Sequence, residues 1–343
     1  DHRDLHSFPT RRSSDLDHAK PDSTLKRVGE WRRLVAEYAG LATALVVLIA
    51  IFSLSTDHFF SLTTFRSIAN QIPAAILVAT GMTLVLIIAE IDLSVGSVLG
   101  LASAALGVTM AQHGWPLWLG VSAALTVGML CGAFNGWVAI RWQLPSFIVT
   151  LGMLEMARGG AHWLTRSQTQ YLGSSVAGLT GFSIGGLSLP FLLAIGVVIV
   201  GQLVLTRTVF GRYLIAIGTN EEAVRLSGID PRPYRMAVFM TSGLLVALAA
   251  VIDTSRFQSA NPNAGSGFEL QAIAAVVIGG TSLMGGRGSV LSSLFGVLII
   301  AVLNHGLAAV GARDETKRLM TGLVIVAAVI VDQYRQRWAR RSP

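Results

Sequence analysis

The residues able to do chemistry in this chain are few, and most stand alone in apolar surroundings. Asn135, Asn304 and His305 lie deep in uncharged runs, where their side chains can both donate and accept hydrogen bonds. That is the chemistry needed to pass a polyhydroxylated solute, and hydrogen bonding between helices accounts for the same residues equally well. Glu90 and Asp92, in EIDLSVGS, precede another apolar run. Asp92 is placed to cap it by accepting N–H groups near Val95. Glu90 either lines a solute path or pairs with a basic loop residue. Glu155 and Arg158 interrupt the run from Pro145 to Leu164; three apart, they can pair on one helical face, so that neither is left alone in lipid. Asn70 and Gln71 begin a further run and are candidates for the same path.

Catalytic signatures are absent from the sequence. There is no HExxH, no CxxC and no GxSxG; GSSVAG at 173–178 lacks the spacing of a nucleophile elbow. His58, His113, His162 and His305 share no carboxylate in sequence, which argues against metal chemistry. The glycines of GGTSLMGGRGS have the look of a phosphate loop but carry no GxxxxGK[ST] and no strand-to-helix frame. Cys131 is the single cysteine and lies in an apolar run, so neither an internal disulfide nor a cysteine metal cluster can form.

The elements that position these residues follow from composition. Of 343 residues, 52% are hydrophobic and 13% charged, and the mean hydropathy is +0.61, a balance far from that of a soluble domain. A helix crossing the hydrocarbon needs about 20 apolar residues, and backbone in lipid must satisfy its own hydrogen bonds. Uncharged runs cover 38–55, 68–88, 93–112, 115–140, 185–205, 236–252 and 290–310. Adding 145–164 and two shorter runs, 270–283 and 319–331, predicts an all-α transmembrane bundle of about ten spans. Pro73 and Gly81 are expected to interrupt the second. Gly128, Gly132 and Gly136 line one face of the fourth span, and Gly96, Gly100 and Ala104 one face of the third, as close helix packing requires. The net charge of +7 is spread over residues flanking the spans and not gathered in one stripe, which speaks for orientation rather than nucleic-acid binding. With ten spans, Arg32, Arg33, Arg141, Arg207, Arg212, Arg235 and Arg335 fall on one side and only a few basic residues, such as Arg66 and Arg166, on the other. Both termini are then cytoplasmic.

One polar stretch stands apart. Val209 to Arg235 carries Arg212, Glu221, Glu222, Arg225, Arg232 and Arg235 between two apolar runs. Thr219 or Asn220 can cap a helix of about two turns whose first turn holds Glu221 and Glu222, next to the positive helix end. Gly228 stops it, and Pro231 and Pro233 bar its continuation. A short rigid helix of this kind suits docking and the transmission of force, not catalysis.

GTNEEAVRLSGI, at 218–229, resembles the cytoplasmic coupling loop in permease subunits of ABC importers of the ribose and xylose type. GMTLVLIIAEIDLSVGSVLG at 81–100, GAFNGWVAIRWQLPSFIVTLG at 132–152 and FELQAIAAVVIGGTSLMGGRGSV at 268–290 carry the likeness in the same chain order. The resemblance implies a monosaccharide or small polyol as cargo, delivered by a soluble binding protein. It implies a separate ATPase subunit that hydrolyses Mg-ATP and receives Asn220, Glu221, Glu222, Ala223, Arg225 and Gly228 in its groove. A second permease copy and the bacterial inner membrane follow on the same ground, and the glycine-rich 279–288 segment becomes a tight turn between spans. No cofactor is expected on this chain. Asn70, Gln71, Glu90, Asn135 and Asn304 are the candidates for the solute path. The alternatives are a branched-chain amino-acid permease and a proton-coupled secondary transporter using Glu90 or Glu155.

Residues 1–16 have the look of a translated sequencing adaptor and are set apart from the fold. Residues 17–36 read as a polar cytoplasmic segment, 37–332 as the permease domain with its coupling loop at 207–235, and 333–343 as a basic cytoplasmic tail.

Overall fold

The computed structural model describes residues 23–56 and 59–341; the adaptor-like segment and His58 lie outside the described residues. The chain divides into two units, Asp1–Gly40 and Leu41–Pro343, and the second contains the helical bundle.

Helix α1 (Ser23–Ser55) is followed by α2 (Leu62–Gln71), which Ser61 caps by accepting the Thr64 N–H at 3.2 Å, and by α3 (Pro73–Ile87). Between α2 and α3 the axis bends by 51°, because Pro73 has no N–H to continue the ladder and its ring crowds the preceding turn. Gly81, also expected to break this span, does not: it lies inside α3 where the backbone and side chain of Ser242 come close. α4 (Val95–Ala111), α5 (Leu117–Trp142) and α6 (Ser146–Thr165) follow.

The connection to the next long helix is built from β1 (Gln170–Tyr171), the short α7 (Gly178–Gly181), β2 (Ser183–Ile184) and β3 (Leu187–Ser188). β2 and β3 form a hairpin whose two-residue turn, Gly185 and Gly186, has positive φ at both positions (62° and 86°), the geometry that twisted strands prefer and glycine supplies without strain. Then come α8 (Leu189–Arg207), α9 (Val209–Thr219), α10 (Glu221–Leu226), α11 (Arg232–Phe257), β4 (Ser259–Ala260), α12 (Phe268–Ile278), α13 (Val290–Ala309) and α14 (Asp314–Arg341). β4 pairs antiparallel with β1.

The core is centred on α3, whose Leu77, Val78, Met82, Val85 and Leu86 are fully buried. α11 packs against α3, α4 and α5. Along α5 the expected glycine face is the contact: a Cβ on Gly132 would collide with the Phe239 carbonyl, and one on Gly128 with the Gly243 carbonyl. In a bilayer there is little hydrophobic drive between helices, so such close backbone approach supplies the packing.

The chain is thus an all-α membrane bundle. Among the described residues five helices are long and apolar enough to cross a membrane, six if the bent α2–α3 pair counts as one span. The remaining uncharged or nearly uncharged runs form helices that fall short of that length or apolar content. α4 has 17 residues and α12 has 11. α6 carries Glu155 and Arg158. The short run at 319–331 lies within the 28 residues of α14, which also takes up the basic tail as far as Arg341. Pro231 and Pro233 do end the polar segment, but by opening α11, where Pro233 stands in the first turn and has no N–H to leave unpaired.

Candidate functional site

The polar segment folds as its local chemistry dictates. Of the two possible caps, Asn220 serves: its backbone is extended (φ −162°, ψ 95°) and its Oδ1 accepts the Ala223 N–H at 3.0 Å. α10 ends after Leu226, and Gly228 reverses the chain at φ 83°. Of this helix only Val224 is buried; Glu221, Glu222, Ala223, Arg225 and Gly228 are exposed, and Leu226 is 80% exposed. Glu222 and Arg225 pair along the surface at 2.8 Å.

On its inner side α10 meets a buried charge cluster. Arg235, in the first turns of α11, bonds Glu221 at 3.2 Å and also Glu90. The Arg235 and Glu90 side chains are only 14% and 11% exposed, against 46% for Glu221. Glu90 therefore pairs with a basic residue, the second of its two expected roles, and that residue belongs to the polar segment itself.

Glu90 belongs to the connection between α3 and α4, and this connection is pinned along its length. Ser146 Oγ accepts the Ile91 N–H at 2.9 Å, and Thr150 Oγ1 accepts the Leu93 N–H at 3.0 Å. Asp92 accepts beside Val95, at Ser94, but takes none of the first-turn N–H groups of α4. Its Oδ1 accepts from the Ser94 N–H at 2.9 Å and the Ser94 hydroxyl at 2.6 Å, a two-residue Asx turn that wins over a cap. Burial pushes the Asp92 carboxyl above the usual carboxylate range, with the two Ser94 bonds pulling it back. Asn135 Nδ2 donates to Ser94 Oγ at 3.0 Å from α5 and is 1% exposed.

A second contact joins the polar segment to the same place. Gly218, at the end of α9, lies so close to Ile87 that a Cβ would strike the Ile87 carbonyl, and that carbonyl accepts the Gly286 N–H at 2.8 Å. Gly285 and Gly286 hold φ of 79° and 71° there, a region that only glycine enters freely. The glycine-rich segment is thus a tight turn, and it closes on the ends of α3 and α9.

The remaining path candidates separate. Gln71 and Asn304 line one cavity of about 390 Å³, with Gln271 and His305. Asn304 Oδ1 accepts from the Thr321 hydroxyl at 3.4 Å. Asn70 instead holds the β2–β3 hairpin, donating to the Gly186 carbonyl at 3.1 Å and accepting the Ser188 N–H at 2.8 Å. Glu155 and Arg158 do not form the expected pair. Arg158 Nη1 donates to the carbonyls of Pro262 at 2.7 Å and Ala264 at 2.9 Å, because a guanidinium geometry suits two converging carbonyls. Glu155 forms no ion pair among the described residues. No group of three or more His, Cys, Asp or Glu residues able to hold a metal occurs among the described residues.

Sequence reasoning missed the Ser146 and Thr150 bonds to the α3–α4 connection and the role of Arg235 as its partner. A carboxylate beside an apolar run and a basic residue opening another were the available signals.

A bundle with five or six helices able to cross a membrane and one exposed capped helix tied to its buried interior is a multi-pass membrane protein. The chain belongs to the branched-chain amino acid transport system / permease component family, whose pattern matches residues 64–329. It is 40% identical over 296 residues to the ribose import permease protein RbsC of Haemophilus influenzae, covering 85% of this chain and 91% of that one. The fructose import permease protein FrcC of Rhizobium meliloti is 37% identical over 303 residues, covering 86% and 84%. The xylose transport system permease protein XylH of Escherichia coli K12 is 33% identical over 360 aligned positions, covering 87% and 92%.

Proposed function

We propose that this chain is the membrane permease of an ABC importer that carries a monosaccharide into the cell, and that it is not itself an enzyme. The observation that carries the reading is its similarity, over most of its length, to import permeases whose names specify ribose, fructose and xylose. In this reading it sits in the bacterial inner membrane with about ten spans and both termini inside, beside a second copy. A soluble binding protein delivers the sugar, and a separate ATPase binds and hydrolyses Mg-ATP.

α10 is the part that enters the ATPase groove, through Asn220, Glu221, Glu222, Ala223, Arg225 and Gly228. When the ATPase dimer closes, α10 moves as a rigid body, since its ends are fixed by Asn220 and Gly228. Arg235 hands the displacement to Glu90, and Gly218 hands it to Ile87 and the 285–286 turn. Both routes end on the α3–α4 connection, so α3 and α4 reorient together. Asn135 works through Ser94 to keep that connection stiff. Gln71 and Asn304, in their shared cavity, offer amides to sugar hydroxyls, and Asn70 fixes the hairpin beside it.

The test is reconstitution of the permease with its ATPase and binding protein in liposomes. Uptake of labelled ribose, xylose, fructose and leucine is measured with and without ATP. ATP-dependent uptake of a sugar supports the reading. ATP-dependent uptake of leucine would place the chain with branched-chain amino-acid permeases, which the family description favours. ATP-independent uptake that collapses with the proton gradient would point to a secondary transporter.

A further inference from the structure

α5 is one of the helices long and apolar enough to cross a membrane, and it carries exposed tryptophan near both ends, Trp118 and Trp137. At 1.5 Å per residue the two stand about 28 Å apart along the axis, close to the hydrocarbon thickness of about 30 Å. Tryptophan gathers at both membrane–water interfaces. Trp137 therefore marks one interface, and Arg141, a helical turn further on, stands at the level of the lipid headgroups. Leu130, Phe134, Trp137 and Arg141 recur at helical spacing on one face of α5, and all four are exposed.

At the same end α11, also long and apolar enough to cross, begins at Arg232. Between the two helices lies a cavity of about 350 Å³ lined by Trp137, Ile140, Arg141, Gln143, Arg232 and Met236. It holds two guanidinium groups and no carboxylate. Neither Arg141 nor Arg232 enters an ion pair among the described residues. Asp230 accepts the Arg232 N–H at 3.0 Å and lines the adjoining cavity beside α10, whose other acids, Glu90 and Glu221, are held by Arg235. Trp142 braces Trp137 edge-on, with ring centroids 5.0 Å apart. Guanidinium groups bind phosphate through paired N–H donors, and basic recesses between membrane helices take anionic lipid headgroups. The apolar stripe from Trp137 back to Leu130 gives acyl chains a surface, which a free phosphate would leave unused.

We propose that this recess binds an anionic phospholipid, whose phosphate is met by Arg141 and Arg232 and whose acyl chains run along Trp137, Phe134 and Leu130. The test is native mass spectrometry of the full permease chain, released from detergent micelles that hold phosphatidylglycerol and phosphatidylcholine at equal concentration. The unaltered chain is expected to retain phosphatidylglycerol over phosphatidylcholine by at least about tenfold. Arg141→Ala with Arg232→Ala should bring that ratio within about twofold of parity, whereas Arg212→Ala, which removes an exposed arginine of α9, should leave it unchanged. A second measurement does not depend on the arginine variants: brominated phosphatidylglycerol should quench tryptophan fluorescence more than brominated phosphatidylcholine, and the excess should be lost in Trp137→Phe with Trp142→Phe. Equal retention of the two lipids by the unaltered chain overturns the proposal, as does an equal fall in the ratio with Arg212→Ala. Displacement of the lipid by glycerol phosphate at the same concentration would reduce the recess to a phosphate patch and overturn it too. Disulfide formation between two chains carrying Trp137→Cys would assign this face to a second copy instead.

Discussion

Replacing Glu90 with Gln removes the charge from a pair whose members are 11% and 14% exposed while keeping the side-chain volume. Breaking a buried pair by removing one partner costs about 3 to 5 kcal/mol. Here the loss is smaller, because Arg235 keeps Glu221 at 3.2 Å and a carboxamide oxygen still accepts a hydrogen bond. An ion pair becomes a bond from a charged donor to a neutral acceptor, a loss of about 1.5 to 2 kcal/mol. If that joint carries α10 displacement to the α3–α4 connection, the loss corresponds to roughly a 10- to 30-fold weaker coupling. The assay is sugar uptake per ATP hydrolysed in the reconstituted system, measured for Glu90→Gln, Arg235→Ala and the double variant. Uptake per ATP should fall by about that factor in Glu90→Gln while hydrolysis continues. The double variant should resemble Arg235→Ala, because groups sharing one network are not additive. Unchanged uptake per ATP in Glu90→Gln, or strictly additive losses, would refute the reasoning.

Three further outcomes follow. Glu222→Arg breaks an exposed pair worth at most about 1 kcal/mol, so membrane insertion should be normal while transport uncouples from hydrolysis; undiminished uptake would remove Glu222 from the ATPase contact. Asn220→Ala removes the cap of α10 and should cost about 1 kcal/mol, seen as weaker co-purification with the ATPase, which Asn220→Asp should largely restore. Gly218→Val puts a branched side chain where the Ile87 carbonyl stands; the chain should express poorly or, if inserted, hydrolyse ATP without uptake, and wild-type transport would show that the α9–α3 contact is dispensable.

Much of the membrane character was legible because it is a property of composition. A long uncharged run has one good answer in lipid, a helix, and α5, α8, α11 and α13 appear where such runs lie. The number of spans was not, since length and hydropathy do not say whether α4 or α12 crosses, nor that 319–331 belongs to one helix reaching Arg341. Within the candidate site, α10 and its boundaries were readable because Asn220 caps through an atom three residues away and Gly228 turns through its own φ.

What the sequence by itself determined, then, are the features decided within a few residues: the apolar helices, the capped polar helix, and the bend at Pro73, where the ring acts on the turn before it. The tertiary structure alone decided the partners of charge. Glu90 and Arg235 are 145 residues apart. Arg158 had an acid one helical turn away, yet turned to carbonyls 104 and 106 residues on. A buried or membrane-embedded polar group settles on whichever counterpart the packing brings into range with its lone pairs unmet, and nothing in the local sequence records which one that is.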